Sequence, residues 1–74
     1  MLKYLIIFEK TETGFSAYFP DLPGCIATGK TKAIVEKNIL EAIRFHLDGM
    51  KAENIKFPLN TTDAETFVFA IIYF

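Results

Sequence analysis

The chain has a single cysteine, no excess of positive charge, and no apolar start long enough to direct it to a membrane. One cysteine cannot form an intramolecular disulfide, and secreted domains of this size normally depend on such bonds. The 8 Lys+Arg residues are balanced by 9 Asp+Glu residues, which disfavours direct nucleic-acid binding. The apolar N-terminus stops at Glu9, too early for a signal peptide or a membrane span. These absences predict a cytoplasmic protein.

Apolar side chains, by contrast, are abundant for so short a chain. Hydrophobic residues make up 51% of the 74 residues, and there are 8 Phe and 3 Tyr. A chain of this length forms one domain, residues 1–74, whose interior is too small to bury that much apolar surface. We therefore expect a homo-oligomer or an obligate protein partner.

The most distinctive segment is Phe19-Pro20-Asp21-Leu22-Pro23-Gly24-Cys25, which we call the corner. Its prolines fix φ and remove backbone donors, while its glycine permits the positive φ of a tight reversal. Two interpretations stay open: the corner only protects an edge strand from unwanted pairing, or it is a preformed binding surface. In the second case the residues that bind the partner are Phe19, Pro20, Asp21, Leu22 and Pro23.

Hydrophobic periodicity predicts strands at residues 4–8, 15–19 and 25–28, then a helix from Lys32 to Gly49 or Met50 with Thr31 as its N-cap. Glycine 49 is the predicted stop signal. A polar connection leads to residues 66–74, an apolar run without breakers that predicts a fourth strand.

This β-β-β-α-β order predicts an α+β two-layer sandwich: a mixed four-stranded sheet whose last strand is parallel to the first, with the helix packed on one face. One helix leaves the opposite face of such a sheet uncovered, so burial there requires another chain. The predicted oligomer interface lies on the last strand, at Phe67, Phe69, Ile71 and Tyr73.

The chain resembles the HicB-like antitoxin family in several segments. They are residues 14–25, which end with the corner, then Thr28-Gly29-Lys30-Thr31, Asn38-Ile39, Glu41-Ala42-Ile43 and His46-Leu47. The resemblance extends from about Tyr4 to about Leu47. Beyond the helix, the chain is similar to the family only in general character.

This resemblance implies a partial ribonuclease-H-like fold with strand order 3-2-1-4. It also implies a partner: members of the family bind HicA, a small basic toxin that cleaves messenger RNA, and inhibit it by masking its active site. Many members carry a C-terminal DNA-binding domain, whereas this sequence ends at Phe74 without one, so we expect no direct binding to a promoter.

A ribonuclease-H-like outline raises the alternative of a metal-dependent nuclease. Active enzymes of that fold hold two metal ions between carboxylates on the first strand, the helix and the fourth strand. Glu9 lies on the predicted first strand, and Glu36 and Glu41 lie on the predicted helix. Residues 66–74, however, contain no carboxylate. A degenerate nuclease is therefore the least favoured function.

Three further features could carry chemistry, and each has a simpler explanation. His46 lies on the apolar side of the helix with no evident orienting partner, which favours a core histidine. Cys25 opens a strand without a nearby cation, which favours a small buried side chain. Gly29-Lys30-Thr31 lacks the upstream glycine of a phosphate-binding loop.

The sequence therefore predicts a non-enzymatic binding module with no metal and no cofactor, which neutralises a HicA-like toxin. The alternative from another class is an orphan oligomeric scaffold without a toxin partner.

Overall fold

A computed structural model of the chain describes residues 3–66. They form three strands and one helix: β1 Ile7–Lys10, β2 Phe15–Tyr18, β3 Ile26–Gly29 and α1 Lys32–Ala52. The strands make an antiparallel sheet in the order β1-β2-β3, so β2 is the central strand. The bounds of β2 and β3 lie within one residue of the predicted ones. β1 ends two residues later than predicted, and it begins at Ile7 and not at Tyr4.

The strand register gives the sheet two different faces. Phe8, Ala17 and Ala27 are aligned across the three strands, and Ala17 is fully buried against the helix. The adjacent row, Ile7, Tyr18 and Ile26, points to the other side because successive side chains on a strand alternate. We call this second side the open face, since α1 does not cover it.

Helix α1 begins as its sequence predicts. The Thr31 Oγ1 accepts a hydrogen bond from the Ile34 backbone N–H at 3.2 Å, which confirms Thr31 as the N-cap. Val35 and Ile39 are fully buried, and they attach the first half of the helix to the sheet.

The predicted end of the helix at Gly49 or Met50 is wrong. The helix continues through the glycine to Ala52, and the chain reverses at Asn54, whose φ is 60°. Asparagine tolerates this left-handed conformation better than most residues, so it supplies the turn that the glycine was expected to make.

The prediction of a mixed four-stranded sheet ordered 3-2-1-4 is wrong, since the sheet formed by residues 3–66 has three antiparallel strands. Residues 53–66 form no strand, and the backbone N–H groups of Thr61 and Thr62 bond to the Asp21 carboxylate instead of a neighbouring strand. The prediction assumed that the chain would return beside β1. Of the predicted fourth strand, only Thr66 lies within the described residues.

Candidate protein-binding site

The corner between β2 and β3 is closed by its own backbone. The N–H of Leu22 donates to the carbonyl of Phe19 at 3.0 Å, and the N–H of Cys25 donates to the carbonyl of Leu22 at 3.0 Å. A third bond, from the Phe19 N–H to the Cys25 carbonyl at 3.3 Å, joins the two ends. Gly24 has a φ of 86°, which favours glycine at this position. The corner is therefore a preformed turn whose shape does not depend on a partner.

The corner also supplies much of the hydrophobic core. The buried apolar residues in the described part of the chain are Ala17, Phe19, Leu22, Cys25, Val35 and Ile39, so half of them belong to the corner. The ring of Tyr4 packs edge-on against the ring of Phe19, with centroids 6.5 Å apart. These contacts attach the corner to the sheet and the helix.

The structure divides the five predicted binding residues into two groups. Phe19 and Leu22 are 4% and 1% exposed, so they point into the chain's own interior. Pro23 is exposed, while Pro20 and Asp21 are half-buried. Only these last three offer surface to another molecule.

A shallow groove of about 450 Å³ lies between the exposed side of the corner and the open face. Its lining includes Tyr18, Pro20, Pro23, Gly24 and Ile26. The side chain of Ile26 is 61% exposed, because the strand register places it on the open face. An apolar groove with a rigid proline rim suits the side chains of a protein partner better than a polar small molecule.

Asp21 is not a free acidic group on this surface. Its carboxylate accepts bonds from the N–H of Thr61 at 3.1 Å, the Oγ1 of Thr61 at 2.8 Å and the N–H of Thr62 at 3.1 Å. The Tyr4 hydroxyl donates to the carbonyl of Pro58 in the same connection. Together these bonds hold the segment after α1 against the corner, and we call this set the Asp21 latch. The sequence gives no sign of it, because its partners lie 40 residues apart.

We expect the Asp21 latch to open in acid. Desolvation raises the pKa of Asp21, but the hydrogen bonds from Thr61 and Thr62 outweigh it, so the pKa lies below the ordinary value of 3.8. A lowered folded-state pKa means that the stabilisation is complete above the ordinary value and is lost as the pH falls through the folded-state pKa. The NMR shifts of the Thr61 and Thr62 amides should follow this titration.

Two variants control that measurement. Asp21→Asn should remove the titration of both amides, whereas Asp63→Asn should preserve it, because Asp63 accepts a bond from the N–H of its neighbour Ala64 and is not a member of the latch. Thr61 and Thr62 shifts that titrate unchanged in Asp21→Asn would contradict the latch.

The other candidate groups do not converge on a reactive site. Cys25 is buried, and burial raises the pKa of its thiol, which disfavours the nucleophilic thiolate. Glu9 belongs to the row of Ser16 and Thr28 on the open face, on the opposite side of the sheet from the helix that carries Glu36 and Glu41. Within residues 3–66, no three His, Cys, Asp or Glu side chains are grouped to hold a metal ion.

The predicted oligomer interface at Phe67, Phe69, Ile71 and Tyr73 lies outside the described residues. His46 is half-buried on α1. In the part of the chain that the structure describes, no helix has both the length and the apolar character needed to cross a bilayer.

Comparison with known proteins gives consistent matches. The family model for the HicB-like antitoxin of bacterial toxin-antitoxin systems matches residues 4–70. A UPF0150 protein of Thermoplasma acidophilum is 39% identical over 66 residues, which cover 88% of this chain and 96% of that protein. An uncharacterized protein of Haemophilus phage HP1 is 38% identical over 55 residues, covering 74% of this chain but 41% of the phage protein.

Among solved structures, the chain matches the HicA3 and HicB3 toxin-antitoxin complex with a TM-score of 0.67 and 38% sequence identity. The match covers 81% of this chain and 70% of the matched chain.

Proposed function

The chain belongs to the HicB-like antitoxin family of bacterial toxin-antitoxin systems, and from this membership we propose that it binds a small HicA-type toxin protein and neutralises it. The likeness to a solved HicA3 and HicB3 complex supports a toxin of that type as the partner. In this proposal the chain acts by binding alone, without catalysis, metal or cofactor.

The observation that carries the proposal is that some residues of the corner are buried in the core while others form an apolar surface. Phe19 and Leu22 fix the corner in the core, and Pro20 and Pro23 form the rim of an apolar groove that continues onto the open face. A surface that is already rigid loses little conformational entropy when it binds, so more of its contact energy appears as affinity. We place the toxin on this groove, where its bulk masks its own active site from RNA.

Apolar contact supplies most of the affinity in this arrangement. The carboxylate of Asp21 is occupied by Thr61 and Thr62, so it is not free to form a new ion pair without opening the latch. Its negative charge still favours the approach of a basic toxin, since electrostatic steering acts over several ångströms and raises the association rate.

Co-expression tests the proposal directly. A HicA-type toxin encoded beside the gene arrests growth when expressed alone; the chain should restore growth and co-purify with the toxin. Continued arrest with a well-folded, soluble chain would contradict the proposal and favour the orphan scaffold.

Pro23→Lys should weaken toxin binding about tenfold to a hundredfold, because it places a positive charge on the apolar rim facing a basic partner. Pro23 is exposed and no backbone hydrogen bond is lost on its replacement, so the fold should be retained, at a cost of about 0.4–1 kcal/mol for the freed φ of the unfolded chain. Isothermal titration calorimetry measures the affinity.

Leu59→Lys is the matched control for that experiment. Leu59 is 82% exposed and does not line the groove, so the same charge added there should leave toxin affinity within a factor of about three. Equal loss of affinity in both variants would mean that net charge, and not the groove, determines binding.

A further inference from the structure

Within residues 3–66, no strand pairs with the outer edge of β3. The Phe19 N–H bonds to the Cys25 carbonyl, and hydrogen-bonded and non-hydrogen-bonded pairs alternate along antiparallel strands. With the observed register, Ala27 therefore bonds to Ala17 on β2, while the backbone groups of Ile26 and Thr28 point away from the sheet. The bond from Asn38 Nδ2 to the Thr28 carbonyl, 2.9 Å long, reaches the edge from the helix and agrees with this assignment.

This edge has little protection against pairing. Natural sheets guard their edges with lysine, proline, bulges or a covering segment. The sequence Ile26-Ala27-Thr28-Gly29 has no charge and no proline, and among residues 3–66 no other strand pairs with it. Asn38 satisfies one oxygen only, and a carbonyl oxygen can accept a second hydrogen bond.

Exposed apolar side chains gather on both sides of the same edge. Ile26 is 61% exposed on the open face. On the helix side, Ile34 is 45% exposed and lies close to Gly29, and Phe45 is 83% exposed. Phe45 follows Ile34 by eleven residues, about three helical turns, so both lie on the same face of α1. Ile26 and Ile34 therefore supply apolar surface on the two sides of the edge.

The edge is also complementary to itself. Two copies of β3 can meet antiparallel about a two-fold axis at Ala27. The outward backbone N–H and C=O of Ile26 then face those of Thr28 in the second copy. On the other side of the axis, Thr28 faces Ile26 of the second copy in the same way. This register makes four backbone hydrogen bonds, and the small Ala27 side chains meet at the axis without a clash. The absence of charge on the strand means that no repulsion opposes the pairing.

We propose that the β3 edge is a self-association surface at which a second copy of this chain adds its own β3, in the Ile26-to-Thr28 register, to form a continuous six-stranded sheet. Ile34 of each copy, which lies close to Gly29, adds apolar contact on the helix side of the junction. This inference goes beyond toxin binding and stands or falls without any toxin present.

Sedimentation velocity and amide exchange of the full chain alone test the proposal. The chain should be a dimer that dissociates on dilution, and exchange at the Ile26 and Thr28 amides should slow as the concentration rises. The Ala27 amide is the internal control, since it bonds to β2 in a single copy and should be protected at every concentration. A monomer at all concentrations would overturn the proposal, as would a dimer with rapid exchange at Thr28.

Ile26→Lys should weaken self-association about tenfold or more while the far-ultraviolet circular dichroism stays unchanged, because an exposed side chain on an edge strand tolerates lysine. Leu59→Lys, a lysine at an exposed site outside β3 and α1, should leave the dimer intact. Equal dimerisation of both variants would overturn the proposal. Slow amide exchange at Thr28 in an Ile26→Lys variant that is monomeric would show that the chain covers its own edge. That result would also overturn the proposal.

A thiol test checks the register. In a Cys25→Ala background, Ala27→Cys places two thiols at the two-fold axis, where paired Cα atoms lie about 4.5 Å apart, within reach of a disulfide. Mild oxidation should yield a covalent dimer of the folded protein. A folded dimer that forms no disulfide would contradict this register.

Discussion

Replacing Leu22 with alanine is expected to lower the free energy of unfolding by about 3 kcal/mol, because the side chain is 1% exposed and its removal leaves a cavity between the corner, the sheet and α1. Chains of this size have a total stability of about 4–11 kcal/mol, so the loss is a large part of the whole. Leu22 was predicted from sequence as a contact for a partner. A loss of this size would establish it as a core residue.

Urea unfolding followed by circular dichroism measures this effect, with Leu59→Ala as the control. Leu59 is 82% exposed, so the same truncation there should change the unfolding free energy by about 0.5 kcal/mol or less. If Leu22→Ala were as mild as Leu59→Ala, the corner would not be part of the core, and the rigidity on which the proposed binding surface depends would be absent.

Gly14→Ala is expected to destabilise the fold by about 3 kcal/mol for a different reason. A Cβ at this position would overlap the Gly29 carbonyl oxygen and lie 2.8 Å from the Cα of Lys30. Both obstacles are backbone atoms, so the β1-β2 loop or the junction between β3 and α1 has to move. The strain would reach the start of α1, since Thr31 caps the helix immediately after that junction.

Gly49→Ala is the matched control, and it should have the opposite sign. Gly49 lies inside α1, and apart from the adjacent backbone of the helix no atom of residues 3–66 lies within 4 Å of the position that its Cβ would occupy. Alanine at an exposed helical site should stabilise the protein by about 0.5–1 kcal/mol, because glycine loses more backbone entropy on folding. Thermal unfolding of the two variants in parallel separates the clash from a general effect of substituting glycine. Two stabilising results would contradict the close approach at Gly14.

The elements that depend on local sequence were predictable. Alternating apolar residues identify β2, and the hydroxyl of Thr31 ahead of an apolar stripe identifies the start of α1. The corner was also recognisable, because two prolines and a glycine within five residues exclude regular structure. These signals arise from steric and hydrogen-bonding preferences within a few residues of each other.

Features that depend on distant contacts were not predictable. Nothing near Asp21 indicates that its carboxylate binds Thr61 and Thr62 across 40 residues of chain. The helix passed Gly49 because one glycine costs only about 1 kcal/mol in a helix that is otherwise favourable. The prediction of a four-stranded sheet depended on a distant pairing of the same kind, because an apolar run indicates a need for burial but not a pairing partner.

The division between core and surface within the corner also required the structure. Leu22 and Pro23 are adjacent and both apolar, and only the fold shows that the first points inward and the second outward. The same holds for Ile26, whose exposure follows from the strand register that places it beside Tyr18 on the open face. Hydrophobicity alone identifies neither binding residues nor core residues in so small a chain.

The most direct test of the account is an RNA-cleavage assay with a purified HicA-type toxin encoded beside the gene. The chain, added in equal amount to the toxin, should stop cleavage, and Pro23→Lys should require a clear excess to do the same, while Leu59→Lys should match the unaltered chain. Undiminished cleavage in the presence of excess, fully folded chain would contradict the central claim that the corner groove binds and masks a toxin.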